Sequence, residues 1–564
     1  MISVSGKYWE EFKFSKRFVD KIKVDNSFSE ILSKIILMRG FTSEEIFTIK
    51  NNVELSNPFL KNFDYLQGYK IFENTIKNKG KIVILGDYDV DGIVSTSLMI
   101  KFLKKLNIKI SYFIPDRIKD GYGANLNTIK KIVVYKPDLI IMLDCGSNSH
   151  EAVDYLNNKK IKSIIIDHHA IFRPYPKANC IINPHKNTYY SEFKFLCSGA
   201  LVYFFIDFYL KKKNIDFNFK KNLILVLLSI VCDVMPLRFL NRVIAKNVLK
   251  SFNPKKNFAF RRIFEINKIK RPINIDDLGY LFGPIINCSG RIGNSSKSID
   301  LLVSKEETII ENNIHYLINL NEKRKVLEER ILKDIDLRDP CFLKSKVIVI
   351  YKKNLNEGLI GIIAARLKEY FNKPCLILTN SKNIIKGSAR STNIFDIGKF
   401  LKKAIDKKII LTGGGHNLAG GLTLKKENID KLIKFVEIEY QNLNKNNQHK
   451  NIYLSKILST SINSHFVSEI QKAAPFGSFN PNPKFLIENL KILKPKIIKE
   501  KFISCMLISN NRTFFKAISF NLVDSKISEY LLNYKKKIKI IAQLNENLWN
   551  NKKSIQLNII DVIV

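Results

Sequence analysis

Acidic residues fall in three short runs, each directly behind an apolar, β-branched stretch. Asp87, Asp89 and Asp91 lie in GDYDVDG after KIVIL. Asp144 lies in DCG after DLIIML, and Asp167, His168 and His169 form DHH after KSIII. A lone aspartate behind a strand most often caps a helix or shapes a turn. The dipeptide His-His is weak by itself, and DxDxDG lacks the later glutamate of a calcium loop. Agreement among three strand ends is harder to assign to chance. In an open parallel sheet the carboxyl ends of the strands lie on one edge, where ligands bind. Several carboxylates gathered there without compensation are costly, and a cation relieves that cost. The donors are carboxylates and imidazoles without thiolate, which suits Mn2+ or Mg2+ better than structural zinc. So many donors can hold two ions about 3.5–4 Å apart, the spacing that supports phosphoester hydrolysis.

The flanking sequence must bring these runs together. From residue 81 onward, strands and helices alternate: KIVILG, a helix near 93–106, IKISYFI, a helix near 125–135, DLIIML, a helix near 149–158, and KSIIID. That alternation predicts βαβ units and a parallel sheet. A helical region follows, including LILVLLSIV, which runs up to Cys232 and Asp233. Residues 306–337 read as one long charged helix, a natural connector between domains. A second α/β region opens with SKVIVIYKK and CLILTN and closes near 440. QNLNKNNQHKN then reads as a polar linker, and 452–564 has the alternating texture of a small β-barrel. The expected fold class is therefore α/β: a parallel-sheet domain, a connector helix, a second α/β domain and a C-terminal all-β barrel. The expected boundaries are a helical extension over 1–75, a catalytic domain over 76–305, the connector over 306–340, the second domain over 341–440, and the barrel over 452–564. No repeat of solenoid period is present.

Composition limits the alternatives. A chain of 564 residues is too long for one core. With 45% hydrophobic and 11% aromatic residues, it has ample material to bury, which excludes wholesale disorder. Lys+Arg 93 against Asp+Glu 52 leaves +41, a surface suited to polyanions, nucleic acid before anionic membrane. Lysine, asparagine and isoleucine are overused throughout, so the charge permits such a partner without selecting it. MISVSGKYWEEFKF carries charges where a secretory signal needs an apolar core. The longest apolar stretch, Leu223 to Val231, is too short to span a bilayer. The eight cysteines are scattered, with no CxxC pair, so neither a zinc ribbon nor a dithiol site is indicated. A soluble cytoplasmic protein with reduced thiols is expected.

GDYDVDG, DCG and DHH, in this order and at strand ends, resemble the DHH phosphoesterase superfamily. KGSARS (386–391) and GGGHNLAGG (413–421) resemble the DHHA1-like substrate domain that accompanies such cores. RIKDGYGAN (117–125), INPH (182–185), CDVMPL (232–237), SGRIGN (289–294), EGLIGIIAARL (357–367) and PFG (475–477) resemble its bacterial single-strand-specific exonucleases. The resemblance runs from about residue 50 to the end, and the C-terminal region resembles an oligonucleotide-binding (OB-like) barrel. It implies a 5′→3′ exonuclease on single-stranded DNA that uses two Mn2+ or Mg2+ ions and releases 5′-mononucleotides in recombination and repair. By position it implies Asp87, Asp89, Asp91, Asp144, His168 and Asp233 as metal ligands. Asp144 and His169 would be catalytic, His169 donating a proton or a hydrogen bond to the scissile phosphate. Arg117, Arg291, Ser388 and Arg390 would hold the 5′ end, and Gly414, Gly415 and His416 would contact the nucleotide near the cut.

These residue types suit those tasks. Glycine lets backbone amides approach a phosphate, and arginine grips one with a two-pronged fork. Lysines in KPKIIKEKF (494–502) and YKKKIK (534–539) either track a nucleic-acid backbone or form a solvated face. The implied partner is single-stranded DNA. A single-strand-binding protein and a helicase are further partners the resemblance implies, and the chain is expected to act as a monomer away from membranes. Three departures stand out. Leu355-Asn356-Glu357-Gly358 replaces the usual Trp-His-Glu-Gly, Ser289-Gly290-Arg291 replaces Ala-Gly-Arg, and Ser478-Phe479-Asn480 follows PFG. None removes an implied metal ligand, which speaks against a binding-only relative. A phosphodiesterase of very short or cyclic oligonucleotides, or a pyrophosphatase, would not need the barrel.

Overall fold

The apolar β-branched runs become buried strands, and the polar-flanked periodic runs become helices. The computed structural model describes residues 1–186, 192–337, 339–392, 394–443, 450–500, 502–521, 525–549 and 552–564. Most of the linker at 441–451, and Lys501 of the basic run 494–502, lie outside the described residues. The chain divides into two compact units. One comprises residues 55–235 and 244–445, and the other comprises 1–54, 236–243 and 446–564.

The larger unit begins with a five-stranded parallel sheet. Its spatial order is Ser111–Phe113, Ile82–Leu85, Leu139–Leu143, Lys162–Ile166 and Cys180–Ile182. The central strands IVIL and LIIML are buried at every position, the pattern of a sheet covered on both faces. Helices Leu126–Val133 and His150–Asn158 bury Ile129, Ile132, Val153 and Leu156 against Val83, Leu85 and Ile140. Helices Val90–Lys105 and Ser198–Lys212 also pack on the sheet and on each other. The helix Leu223–Cys232 is the apolar run LILVLLSIV with Cys232 added.

The predicted connector is the 27-residue helix Glu307–Lys333. It leads to a second five-stranded sheet ordered Thr412–His416, Ala419–Leu424, Ile384–Arg390, Cys375–Ser381 and Ile348–Tyr351. Only the last pair is parallel. The glycine-rich run therefore forms an edge hairpin whose second strand pairs with KGSAR.

In the smaller unit, strands Phe485–Ile498, Phe502–Ser509, Phe514–Ser519, Lys552–Ile563 and Ile538–Trp549 form a sheet that closes by pairing its first strand with its last. Register shifts between Ile487 and Leu490 and between Leu493 and Lys496 bend the long first strand, as closure requires. The helical extension expected over 1–75 is not one piece. Phe28, Leu32, Ile35 and Ile36 pack into the barrel's core, so the division falls after Glu54. Tyr65 and Phe72 instead pack on aromatics of helix Ser198–Lys212. Strand Tyr8–Glu11, inside that region, pairs in parallel with Lys450–Tyr453. All eight cysteines are free, and Cys341 alone among them is exposed. Among the described residues, no helix is long and apolar enough to cross a membrane.

Candidate active site

Numbered along the chain, the parallel strands run 2-1-3-4-5 in space. Connections leave strands one and three in opposite directions, which opens a crevice at their carboxyl ends. Asp87 lies two residues beyond Leu85, Asp144 directly follows Leu143, and Asp167 directly follows Ile166. Asp144 has φ +63°, a left-handed conformation that aspartate tolerates better than most residues and that turns the chain sharply at the strand end. Asp89 caps helix Val90–Lys105, its Oδ1 accepting the Gly92 N–H at 3.1 Å. A Cβ on Gly92 would lie 2.5 Å from the Asp87 carbonyl oxygen, so glycine lets the helix start against the acidic loop.

The acids converge. Single ligand atoms of Asp87, Asp89 and Asp144 lie within 4.8 Å of one another. The same holds for Asp91, His168 and Asp233, and for Asp144, His168 and His169. His168 Nε2 is 3.3 Å from Asp233 Oδ2, 3.5 Å from Asp144 Oδ1 and 3.7 Å from Asp91 Oδ2. Burial, and then the charge of neighbouring carboxylates, pushes Asp87, Asp144 and Asp233 well above the usual carboxylate range. Asp87 Oδ1 is buried without a hydrogen-bond partner. Crowded, desolvated carboxylates, an orphaned oxygen and imidazole at one edge fit hard divalent cations. Every ligand named from the sequence is in this cluster.

Residues the sequence reading missed hold the cluster in place. Asp91 Oδ2 accepts the Ser198 N–H at 2.8 Å, and Oδ1 accepts the Gly199 N–H at 2.8 Å and the Ser229 hydroxyl. The carboxylate thus sits at the N-terminus of helix Ser198–Lys212, where free N–H groups and the helix dipole favour an anion. The Ser198 hydroxyl donates to Asp144 Oδ1 at 2.9 Å. The signal in sequence was small residues, Ser198 and Gly199, opening an apolar helical run.

His169 belongs to a separate chain of bonds. Its Nδ1 is 2.8 Å from Asp167 Oδ1, and its Nε2 is 3.1 Å from the Tyr122 hydroxyl. Asp167 also accepts N–H bonds from Ser147, His168 and His169. Asn183 donates to the His169 carbonyl at 2.9 Å and to Ser147 Oγ at 2.7 Å, which gives INPH a structural role. Burial alone would lower the His169 imidazole, but the Asp167 bond and charge outweigh it and push it up to about 9. Burial would raise Asp167, and the same pair holds it well below the usual carboxylate range. His168 is held low, first by burial and then by the charge of His169.

Arginines gather in the same unit. The Arg117 guanidinium lies 4.3 Å over the Tyr88 ring, with its Nε buried and without a hydrogen-bond partner. Arg291 Nη1 donates to the Gly358 carbonyl at 3.1 Å, and Arg390 Nη1 donates to Ser388 Oγ at 3.1 Å. Arg291 and Arg390 line one cleft of about 270 Å³ with Gly361 and Arg366. Burial, then repulsion from Arg117, Arg324 and Arg390, pushes Arg291 down to about 10. Arg291 and Arg390 thus share a cleft whose lining also includes the carboxylate of Glu369. A Cβ on Gly358 would lie 2.2 Å from the Arg291 carbonyl oxygen, so glycine permits the second domain's close approach there. Asn356, in place of the usual histidine, accepts the Gly358 N–H at 2.9 Å and shapes that turn. In the edge hairpin Gly414 faces Gly421 and Gly415 faces Gly420, and Gly421 faces Ser388 on the next strand. His416 ends the hairpin's first strand and is held below its ordinary value by burial and then by Arg390. Ser388 and Arg390 thus lie on one strand and Gly414, Gly415 and His416 on another, with Ala419–Leu424 between them.

Three domain families match the chain: the DHH family N-terminal domain over 81–230, the DHHA1 domain over 344–442, and the RecJ OB domain over 455–561. The chain is 27% identical to the single-stranded-DNA-specific exonuclease RecJ of Bacillus subtilis over 99% of its own length and 71% of the relative's. It is 25% identical to that of Escherichia coli, covering 94% and 95%. The crystal structure of RecJ with Mn2+ from Thermus thermophilus superposes with a TM-score of 0.82 at 19% identity, over 99% of this chain and 79% of that one. That likeness confirms the fold: a parallel-sheet domain, a connector, a second α/β domain and a closed barrel. The chain carries these three domains in this order and is similar over nearly its whole length to RecJ exonucleases.

Proposed function

We propose that this protein is a metal-dependent 5′→3′ exonuclease of single-stranded DNA, releasing 5′-mononucleotides in DNA recombination and repair. The observation that carries the reading is the convergence of Asp87, Asp89, Asp91, Asp144, His168 and Asp233 at the sheet's switch point. These residues would hold two Mn2+ or Mg2+ ions. When bound, such ions neutralise phosphate charge and make water acidic enough to attack phosphorus.

The chain's own groups do the rest. His169, kept protonated by Asp167 and bonded through its other nitrogen to Tyr122, holds a cationic imidazole beside Asp144 and His168. It would donate a hydrogen bond or its proton to an oxygen of the scissile phosphate. Asp144, braced by Ser198, fixes the reacting edge. Arg117, Arg291, Arg390 and Ser388 would grip the terminal 5′ phosphate, since an anion there relieves the repulsion among them. Gly414, Gly415 and His416 would border the adjoining nucleotide. A phosphate held at a fixed distance from the metal edge sets both polarity and product length.

In the barrel, Lys491, Lys494 and Lys496 lie along one strand beside the half-exposed Ile497, a surface suited to a nucleic-acid backbone. The protein would act as a monomer in a reducing cytoplasm, with a single-strand-binding protein and a helicase as partners. The test is digestion of one oligonucleotide labelled at either end. The 5′ label should appear as mononucleotide from the first time point, while the 3′ label stays on a shortening strand. Early dinucleotides, or release of the 3′ label first, would contradict the reading.

A further inference from the structure

Tyr88 stands between Asp87 and Asp89 in the acidic loop and is 7% exposed. Its hydroxyl and ring have no part in the chemistry proposed above, yet the residue meets two of the arginines assigned to the terminal phosphate. The guanidinium carbon of Arg117 lies 4.3 Å from the centroid of its ring. Arg117 Nε is buried and makes no hydrogen bond, so the plane of the guanidinium rests on the ring face. The backbone around Arg117 is braced separately. Asp116 Oδ1 accepts the N–H groups of Ile118 and Lys119, each at 2.9 Å. The loop is thus fixed by Asp116, and the direction of the Arg117 side chain by Tyr88.

The backbone of Tyr88 meets the second arginine's segment. A Cβ on Gly290, the residue before Arg291, would lie 2.1 Å from the Tyr88 carbonyl oxygen and 3.0 Å from its carbon. Backbone abuts backbone there, with no flexible end to give way. Arg291 is tied onward by its bond to the Gly358 carbonyl at 3.1 Å. Burial, and then the charge of Arg117, holds both Arg291 and Arg390 below the ordinary arginine range, so the three guanidiniums are neighbours. Tyr88 is the point at which two of them touch the acidic loop.

We propose that Tyr88 is a positioning residue that joins the grip on the terminal 5′ phosphate to the metal loop: its ring sets the plane of Arg117, and its carbonyl seats Gly290 and Arg291. Asp87 and Asp89 are its chain neighbours. The grip can therefore shift against the ions only as far as one residue's backbone allows, which keeps the distance between the two sites fixed. Tyr88 acts through the arginines and touches no substrate. The inference rests on the phosphate reading above and deepens it by naming the residue that links the two sites.

The test compares two single-stranded oligonucleotides of one sequence, one with a 5′ phosphate and one with a 5′ hydroxyl, digested by the full chain with Mn2+. Tyr88→Leu removes the ring face and should raise KM for the phosphorylated strand about tenfold, the scale of a desolvated cation–π contact. KM for the hydroxyl strand should move much less. The kcat should stay close to the parent's, since Tyr122 keeps its bond to His169. Mn2+ affinity, read by calorimetry without DNA, should match the parent. Tyr88→Phe keeps the ring and should keep the parent's preference for the phosphorylated strand. Gly290→Ala presses on the Tyr88 carbonyl and should shrink that preference with the tyrosine intact, which keeps the proposal testable if Tyr88→Leu folds poorly. The proposal is overturned if Tyr88→Leu and Gly290→Ala retain the parent's preference, or if Tyr88→Phe loses it as fully as Tyr88→Leu. It is also overturned if Mn2+ affinity falls in step, which would mark a general role in holding the loop. A parent chain that takes both strands with equal KM would instead sink the phosphate reading, and the proposal with it.

Discussion

His168 and His169 are adjacent in sequence and opposite in environment. His168 is enclosed by Asp91, Asp144 and Asp233 and is held neutral by burial, as a metal ligand requires. His169 is paired with Asp167 and kept protonated, as a donor to phosphate requires. The split predicts that His169→Gln lowers kcat by about 10²–10⁴, the usual worth of a positioned acid, with Mn2+ affinity nearly intact. Single-turnover kinetics beside calorimetry would check this, and an unchanged kcat would remove His169 from the chemistry. The residue types of this site were legible in sequence. Their division of labour was not. Nothing in DHH says that Asp167 faces His169, or that Tyr122, 47 residues earlier, meets its other nitrogen.

At the level of elements, the strands were readable because a strand buried on both faces must be apolar throughout, as IVIL and LIIML are. The helix expected near 93–106 is Val90–Lys105, one turn earlier because Asp89 caps it, and the 27-residue connector was readable from its length and charge. What depended on distant partners was hidden. Strand Tyr8–Glu11 forms only by pairing with Lys450–Tyr453, so its local sequence reads as featureless. The start of helix Val90–Lys105 gives the prediction at this scale. In Gly92→Ala the new methyl meets Asp87 backbone, which has no flexible end to move aside. The variant should lose about 1–3 kcal/mol of stability and most of its activity, since Asp87, Asp89 and Asp91 flank the shift. Thermal melting with an activity assay would check it, and wild-type values for both would show that the loop can yield.

For the molecule as a whole, order along the chain and order in space diverge. The N-terminal 54 residues complete the unit that contains the barrel, and residues 236–243 from the middle of the sequence join them. The sequence alone does not show this, because helices such as Glu30–Arg39 carry apolar residues to bury without showing against what. One consequence is that deleting 452–564 would strip Leu32, Ile35 and Ile36 of their core. Point substitutions in the barrel are therefore the cleaner probes. The net charge of +41 suits a polyanion, and Arg291 lies close enough to Arg117, Arg324 and Arg390 to be repelled by them. If strand-end carboxylates and His168 hold paired divalent cations, calorimetric titration should find about two Mn2+ ions per parent chain, and in Asp144→Asn an affinity lower by at least about tenfold. Equal binding by both proteins, or no binding by the parent, would contradict it.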